Sequence, residues 1–516
     1  MKKYILVLDA GTTNIKAFLF DQNGTIVGES REKTLYITDE HGKVEQDPLV
    51  IRESCYRVLK DVLSRKRLKA SHIEALGITA QRSSFLLWDR ITGKPLTNII
   101  TWQDKRAADH ARKKTATWWL SFIRLIVRFL SRFIRMTKLI TVAILKFDSV
   151  HSSARTGYLF ETDRELRIKA HKHDSQVAWG TIDSWILWNL SGGKLHVTDY
   201  SFASSTGILD PFTLKWNGIV RSLFDIPDKI LPELRDTRSD FGVTTLFGDG
   251  PIPIRAVIAD QQASLYGQCC FVRGDMKCTN GTGSFIDINT GGKPFASRRR
   301  LYPLVAWRID GDTVYMLEGQ SQNTGNVVDW IKDELSIIES YEDSEKIAQS
   351  VDSTHGVFVL PAFSSGLTFP YWDQSTRGNI FGISLNTKKA HIVRAVLEGI
   401  CFRIKDIVEG IQHDSGIRVK KLRADGGVSA NRFVLQFLSD ILGLPVEYFP
   451  HPEPTALGAA FMAGLSTGYW KSENEIAGLL ERGETFLPGI DNAARKRRYG
   501  EWKDIIRRSL KYGIYG

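Results

Sequence analysis
The feature that most constrains this chain is a pair of glycine turns, one in each half, each framed by short apolar strands. The first is Asp9-Ala10-Gly11-Thr12-Thr13-Asn14-Ile15-Lys16, between the runs Tyr4–Leu8 and Ile15–Phe20. The second is Asn280-Gly281-Thr282-Gly283-Ser284-Phe285, between Gly274–Asn280 and Phe285–Asn289. A chain of 516 residues exceeds one core, because single cores stop growing near roughly 250–300 residues. The recurrence therefore predicts two domains of similar plan, dividing near residues 258–266 and bounded as 1–262 and 263–516. No Pro- or Ser-rich linker marks the division, so a tight hinge is expected.

The remaining pattern agrees. Asp21-Gln22-Asn23-Gly24 is a hairpin turn and Thr25–Glu29 the strand after it. A helix is expected from about Asp47 to Arg65, with Pro48 in its first turn, then a strand over Ile73–Ile78. The second half repeats the order, with a strand at Thr313–Leu317 and helices at Asn323–Glu334 and Lys388–Gln412. Three antiparallel strands followed by alternating helix and strand predict an α/β layer in each half.

Composition excludes several classes. Apolar content of 42% and charged content of 25% suit a soluble globular chain. Cys55, Cys269, Cys270, Cys278 and Cys401 lack metal-ligand spacing and are expected as reduced thiols in a reducing compartment. The first apolar run ends at Asp9, too short for the core of a secretory leader. Net charge is +11, but six of the basic residues lie between Thr115 and Phe147, where there are no acidic ones. Without those six the balance is +5, which does not argue for a nucleic-acid groove.

The turns carry chemistry. A small-residue turn presents backbone N–H groups and hydroxyls that cradle phosphate oxygens. Beside the first turn, Asp9 can hold Mg²⁺ through water and Lys16 can neutralise phosphate charge. A simple hairpin turn explains either motif taken alone. Asp425-Gly426-Gly427-Val428-Ser429-Ala430-Asn431 is a third glycine turn, leading into a helical pattern through Ile441. Asp260, in Ala259-Asp260-Gln261-Gln262, ends an apolar strand where carboxylates commonly point into a ligand cleft. Phosphoryl transfer needs such a carboxylate to accept a hydroxyl proton, although a lone Asp there also serves as a helix N-cap.

Taken together, these motifs resemble the FGGY carbohydrate kinases over nearly the whole chain, and within them the glycerol kinases, particularly the branch called glycerol kinase 5. The resemblance rests on the first turn, Gly77-Ile78-Thr79-Ala80-Gln81-Arg82, Thr101-Trp102-Gln103 and Ala259-Asp260-Gln261-Gln262. It continues through Gly281-Thr282-Gly283, Pro370-Tyr371-Trp372-Asp373, Gly382-Ile383-Ser384-Leu385, Arg423–Asn431 and Ala456-Leu457-Gly458-Ala459-Ala460. It implies two ribonuclease-H-like domains related to actin and the Hsp70 ATPase, with ATP, Mg²⁺ and a small polyol in the cleft between them. Asp260 matches the general base, while Arg82, Ser83, Trp102, Gln261 and Phe285 match polyol-side positions. Thr12, Thr13, Asn14 and Lys16 match the β/γ-phosphate turn. Thr282, Gly325, Gly427 and Asn431 match the rest of the nucleotide site, and Asp9 the carboxylate near the metal. The implied reaction is phosphorylation of glycerol. A larger sugar or sugar alcohol, or a nucleotide-binding scaffold with weak kinase activity, are the alternatives. A cytoplasmic homo-oligomer, a dimer or tetramer, is expected.

Three positions depart from the family pattern. Ser83 stands where glycerol kinases carry a glutamate, Asp329 where the nucleotide site carries a glutamine, and no tyrosine precedes Tyr158 where a polyol-contacting tyrosine is due near residues 147–151. Asp104 also keeps a larger acceptor open. A further segment, about residues 116–147, looks inserted. Arg124, Arg128, Arg132, Arg135 and Lys138 recur at helical spacing among large apolar residues. An amphipathic helix on an anionic membrane, anchored by Trp118 and Trp119, is one reading, and packing on its own domain or a partner subunit is the other.

Overall fold
The computed structural model describes residues 2–117, 147–295, 297, 299–364, 366–481 and 483–510. The basic segment, apart from its ends, lies outside the described residues. Among the described residues no helix is long and apolar enough to cross a membrane.

The first half is built on strands β1 (Tyr4–Ala10), β2 (Asn14–Phe20), β3 (Ile26–Lys33), β4 (Ile73–Ala80) and β5 (Ile252–Ala259). They run in the order β5-β4-β1-β2-β3, with the short strand Val243–Thr244 outside β5. β2 pairs antiparallel with β1 and β3, while β4 pairs parallel with β1 and β5. The second half repeats this plan. Its strands are β6 (Met276–Asn280), β7 (Ser284–Gly291), β8 (Tyr302–Ile309), β9 (Asp312–Ser321), β10 (Leu422–Asp425) and β11 (Val446–Tyr448). Their order is β8-β9-β7-β6-β10-β11, again with an antiparallel hairpin beside parallel strands.

The sequence pattern missed β8. This strand carries Pro303 and follows a run of arginines, and it lies at the sheet's edge, where proline costs no ladder hydrogen bond. The first expected helix is α1 (Pro48–Arg65), whose Asp47 side chain accepts from the Leu49 and Val50 amides. The later ones are α3 (Gly325–Asp333) and α4 (Lys389–Ser415), after α2 (Asp260–Gly267) has closed the first half. Next along the chain come α5 (Arg432–Leu442) and α6 (Pro454–Thr467). All five cysteines are buried free thiols.

Three apolar clusters organise these layers. One packs α1 on the first sheet, joining Leu6 and Leu8 to Val58, Leu59 and Val62. Another packs α4 on the second, joining Ile286 and Ile288 to Ile400, Ile404 and Ile407. The third joins the two halves: Ile5, Val7 and Phe18 share it with Leu304, Trp307 and Met316. Helices α2 and α6 lie within this shared core, through Leu265, Tyr266, Leu457 and Phe461. They cross closely enough that a Cβ on Gly267 would overlap the Pro454 carbonyl, and one on Gly458 the Ala263 carbonyl. Small residues at the crossing therefore set how the halves sit together.

Candidate functional site
Strand register explains why distant residues meet. Ala10 at the end of β1 is opposite Ala80 of β4, which is opposite Ala259 of β5. Asp9, Arg82 and Asp260 therefore leave the sheet along one line. The Arg82 guanidinium lies 3.0 Å from Asp260 Oδ1 and 2.7 Å from Glu318 Oε2 on β9, bridging the two halves. Despite burial, these carboxylates hold its pKa above the ordinary arginine value.

Asp260 heads α2, and its Oδ1 accepts the Gln261 amide at 2.7 Å. Burial raises its pKa, partly opposed by the Arg82 charge. Gln261 accepts through Oε1 from Lys277 Nζ at 2.6 Å, and Lys277 is ion-paired at 2.8 Å to Asp287, both fully buried. Phe285, half-buried at the start of β7, is opposite Gln320 of β9.

The first turn is gathered by side chains. The Thr12 carbonyl accepts from Thr34 Oγ1 and Tyr36 Oη, each at 2.6 Å, and Trp102 Nε1 donates to Thr12 Oγ1 at 3.2 Å. Thr13 is exposed at the tip and Asn14 begins β2. Lys16 is opposite Asp9 in the ladder, and its Nζ lies 2.7 Å from Glu453 at the start of α6. Burial pushes the Asp9 carboxyl up to about 7, against Lys16 and with help from Glu453 and Asp260.

The second and third turns are locked together. The Gly325 amide donates to the Gly281 carbonyl at 3.0 Å, and the Thr324 amide to the Thr282 carbonyl at 3.1 Å. A Cβ on Gly325 would stand 2.7 Å from that Gly281 oxygen, which is why glycine begins α3. Asn280 Nδ2 donates to Ser429 Oγ at 3.0 Å. Gly427 is exposed, facing open space. Asn431 caps α5, accepting the Val434 amide at 3.1 Å, and donates to Ser344 Oγ. Asp329 accepts from Tyr341 Oη.

Two residues singled out for the polyol side are engaged elsewhere. The Ser83 hydroxyl donates to the Ser205 carbonyl at 2.8 Å. Asp104 is buried and bound to Arg106 and the Val44 amide. Tyr158 lies beside His110. Sequence reasoning missed Glu318, Lys277, Asp287 and Glu453. A single charge amid mostly apolar or small neighbours, Lys277 in β6 and Asp287 in β7, was the available signal, but only pairing of the strands brings these charges to Glu318.

Comparisons with known proteins agree with this geometry. The FGGY family of carbohydrate kinases matches through its N-terminal domain over residues 4–267 and its C-terminal domain over residues 276–467. Glycerol kinase 2 of Thermotoga maritima is 41% identical, covering 98% of this chain and 99% of the relative. Glycerol kinase 5 of Danio rerio is 38% identical, covering 99% and 97%. The crystal structure of Plasmodium falciparum glycerol kinase with ADP superposes with a TM-score of 0.89 at 31% identity, covering 99% of this chain and 98% of that one.

Proposed function
The chain belongs to the FGGY family of carbohydrate kinases, and from that premise we propose that it moves the γ-phosphoryl group of ATP to a hydroxyl of glycerol or a similar small polyol. The observation that supports this reading is Asp260 held by Arg82 at the end of the strand row that also ends at the first turn, with Trp102 on the Thr12 hydroxyl.

The acceptor hydroxyl lies against Asp260, whose carboxylate takes its proton as the oxygen attacks the γ-phosphorus. The bond from that phosphorus to the β–γ bridging oxygen breaks, and ADP leaves. Partial burial raises the Asp260 pKa and makes its carboxylate a stronger base than a fully exposed one. Arg82 keeps Asp260 oriented. Thr12, Thr13, Asn14 and Lys16 receive the β- and γ-phosphates. Thr282, Gly325, Gly427 and Asn431 line the nucleotide side. Trp102, Gln261 and Phe285 enclose the polyol, and closure of the halves excludes water.

Asp9, at the end of β1 beside the first turn, is the carboxylate that would hold Mg²⁺ through water. When bound there it would neutralise phosphate charge. The test is a coupled ADP-release screen over glycerol, dihydroxyacetone, tetritols, pentitols and ketoses. Glycerol-dependent release is expected. A preference for a pentitol or ketose would assign a larger acceptor. Release no faster with any acceptor than without one would overturn the kinase reading.

A further inference from the structure
A row of polar side chains crosses the second sheet on the face turned to the cleft. Lys277 is opposite Asp287, Asp287 is opposite Glu318, and Glu318 is opposite Tyr302. Directly opposed residues project from the same face, so the four form one line across β6, β7, β9 and β8.

That line meets the first half at three points. Lys277 donates to Gln261, Glu318 receives Arg82, and the Tyr302 ring lies 6.2 Å from the His151 ring. Its middle therefore stands across from Asp260, the group placed on the acceptor hydroxyl. Tyr302 lies farther along, with Gln320 beside its hydroxyl.

Hydrogen-bond bookkeeping shows what is missing. Arg82 is shared by two carboxylates, Asp260 and Glu318. Glu318 Oε2 accepts from Arg82, whereas Oε1 has no hydrogen-bond partner among the described residues. Glu318 is 5% exposed, so a narrow opening remains through which a ligand can reach it. Glu318 Oε1 is thus left as an open acceptor beside Asp260, and a polyol O–H is a complementary group for it. On the opposite wall the Ser83 hydroxyl is taken by the Ser205 carbonyl, and Tyr158 stands beside His110. The Ser83 oxygen therefore keeps only acceptor capacity for a ligand, where a carboxylate would offer two charged oxygens.

We propose that Glu318 and Tyr302, both on strands of the second half, bind the non-reacting hydroxyls of the acceptor and so determine which polyol is phosphorylated. This rests on the kinase reading above. The division of labour is that Asp260 engages the reacting hydroxyl, Glu318 the next one, and Tyr302 reaches the far end of the carbon chain.

The experiment compares the wild type with Glu318→Gln and Tyr302→Phe in steady-state ADP release. The acceptors are glycerol, 1,2-propanediol and 1,3-propanediol, the diols each lacking one hydroxyl. Glu318→Gln is expected to raise KM for glycerol at least about tenfold, with a smaller penalty on the diol that lacks the contacted hydroxyl. Tyr302→Phe is expected to raise it about threefold to tenfold. KM for ATP should stay within about twofold, since neither residue faces the phosphates. A merely structural loss through Arg82 would instead lower kcat equally for all three acceptors. Equal penalties across the three, or a glycerol KM within about twofold of wild type in both variants, would overturn the assignment alone. Absence of acceptor-dependent ADP release by the wild type would overturn the kinase reading and this assignment with it.

Discussion
The turn between β1 and β2 and the turn between β6 and β7 have the same strand plan behind them but are held by different means. Side chains from distant parts of the chain gather the first: Thr34, Tyr36 and Trp102 on Thr12, and Glu453 on Lys16. Backbone bonds close the second, Gly281 to Gly283, Gly325 to Gly281 and Thr324 to Thr282, over short side-chain bonds from Ser284 to Asn280 and Thr324 and from Asn280 to Ser429. Duplicating a turn thus does not duplicate its supports. The first turn should be tuned by replacing side chains, and the second broken by adding a Cβ.

The largest effect is expected where the surroundings of both turns meet. Asp260 acts on Asp9 in one half and is acted on by Lys277 in the other. Asp260→Asn should leave ATP binding, measured by calorimetry, nearly intact while lowering turnover at least ~10²-fold. Wild-type turnover in that variant would remove the base from the mechanism.

Next comes the backbone-held turn. Gly325→Ala puts a Cβ against the Gly281 carbonyl, and should raise KM for ATP roughly tenfold by pushing Thr282 out of place. An unchanged ATP KM would show that α3 can shift without moving the turn. Lys16→Met, in the side-chain-held turn, should raise the same constant about threefold to tenfold and leave the glycerol constant alone. Its effect should shrink in high salt, because Lys16 is partly exposed to screening.

The smallest effect is on pH dependence. Burial pushes the Glu318 carboxyl up to about 7, opposed by Arg82 and aided by Asp287, with Lys277 opposing more weakly. The ionised form is the stronger acceptor, so the glycerol KM should fall a few-fold as pH rises through about 7. Tyr302, the remaining neighbour in the row, stays protonated over this range because burial raises its pKa. Glu318→Gln should flatten that slope, and a slope unchanged in the variant would assign the titration to another group.

What could be read from the chain followed from locality. Each glycine turn is contiguous, so its residues announce its geometry: Asp9–Lys16 and Asn280–Phe285 became hairpin turns between paired strands. Asp260 was legible because a strand of apolar residues ends immediately before it. Glu318 was not, because within Tyr315–Gln320 it looks like any polar residue on a half-buried strand. Ser83 was legible as a departure, but the direction of its hydroxyl, toward Ser205, depends on a helix far along the chain.

The sequence by itself therefore determined the two-fold plan, the glycine turns and the position of the carboxylate that ends β5. These depend on residues near one another in the chain, where glycine's conformational freedom and apolar periodicity act directly. Tertiary structure decided how Arg82 is shared, what Lys16 pairs with, and which charges from the second half stand beside Asp260. Those depend on strand register and on the close crossing of α2 and α6, which bring opposite charges from separate strands within a few ångströms. Coulombic pairing at that range is strong but carries no mark in the local sequence of either partner.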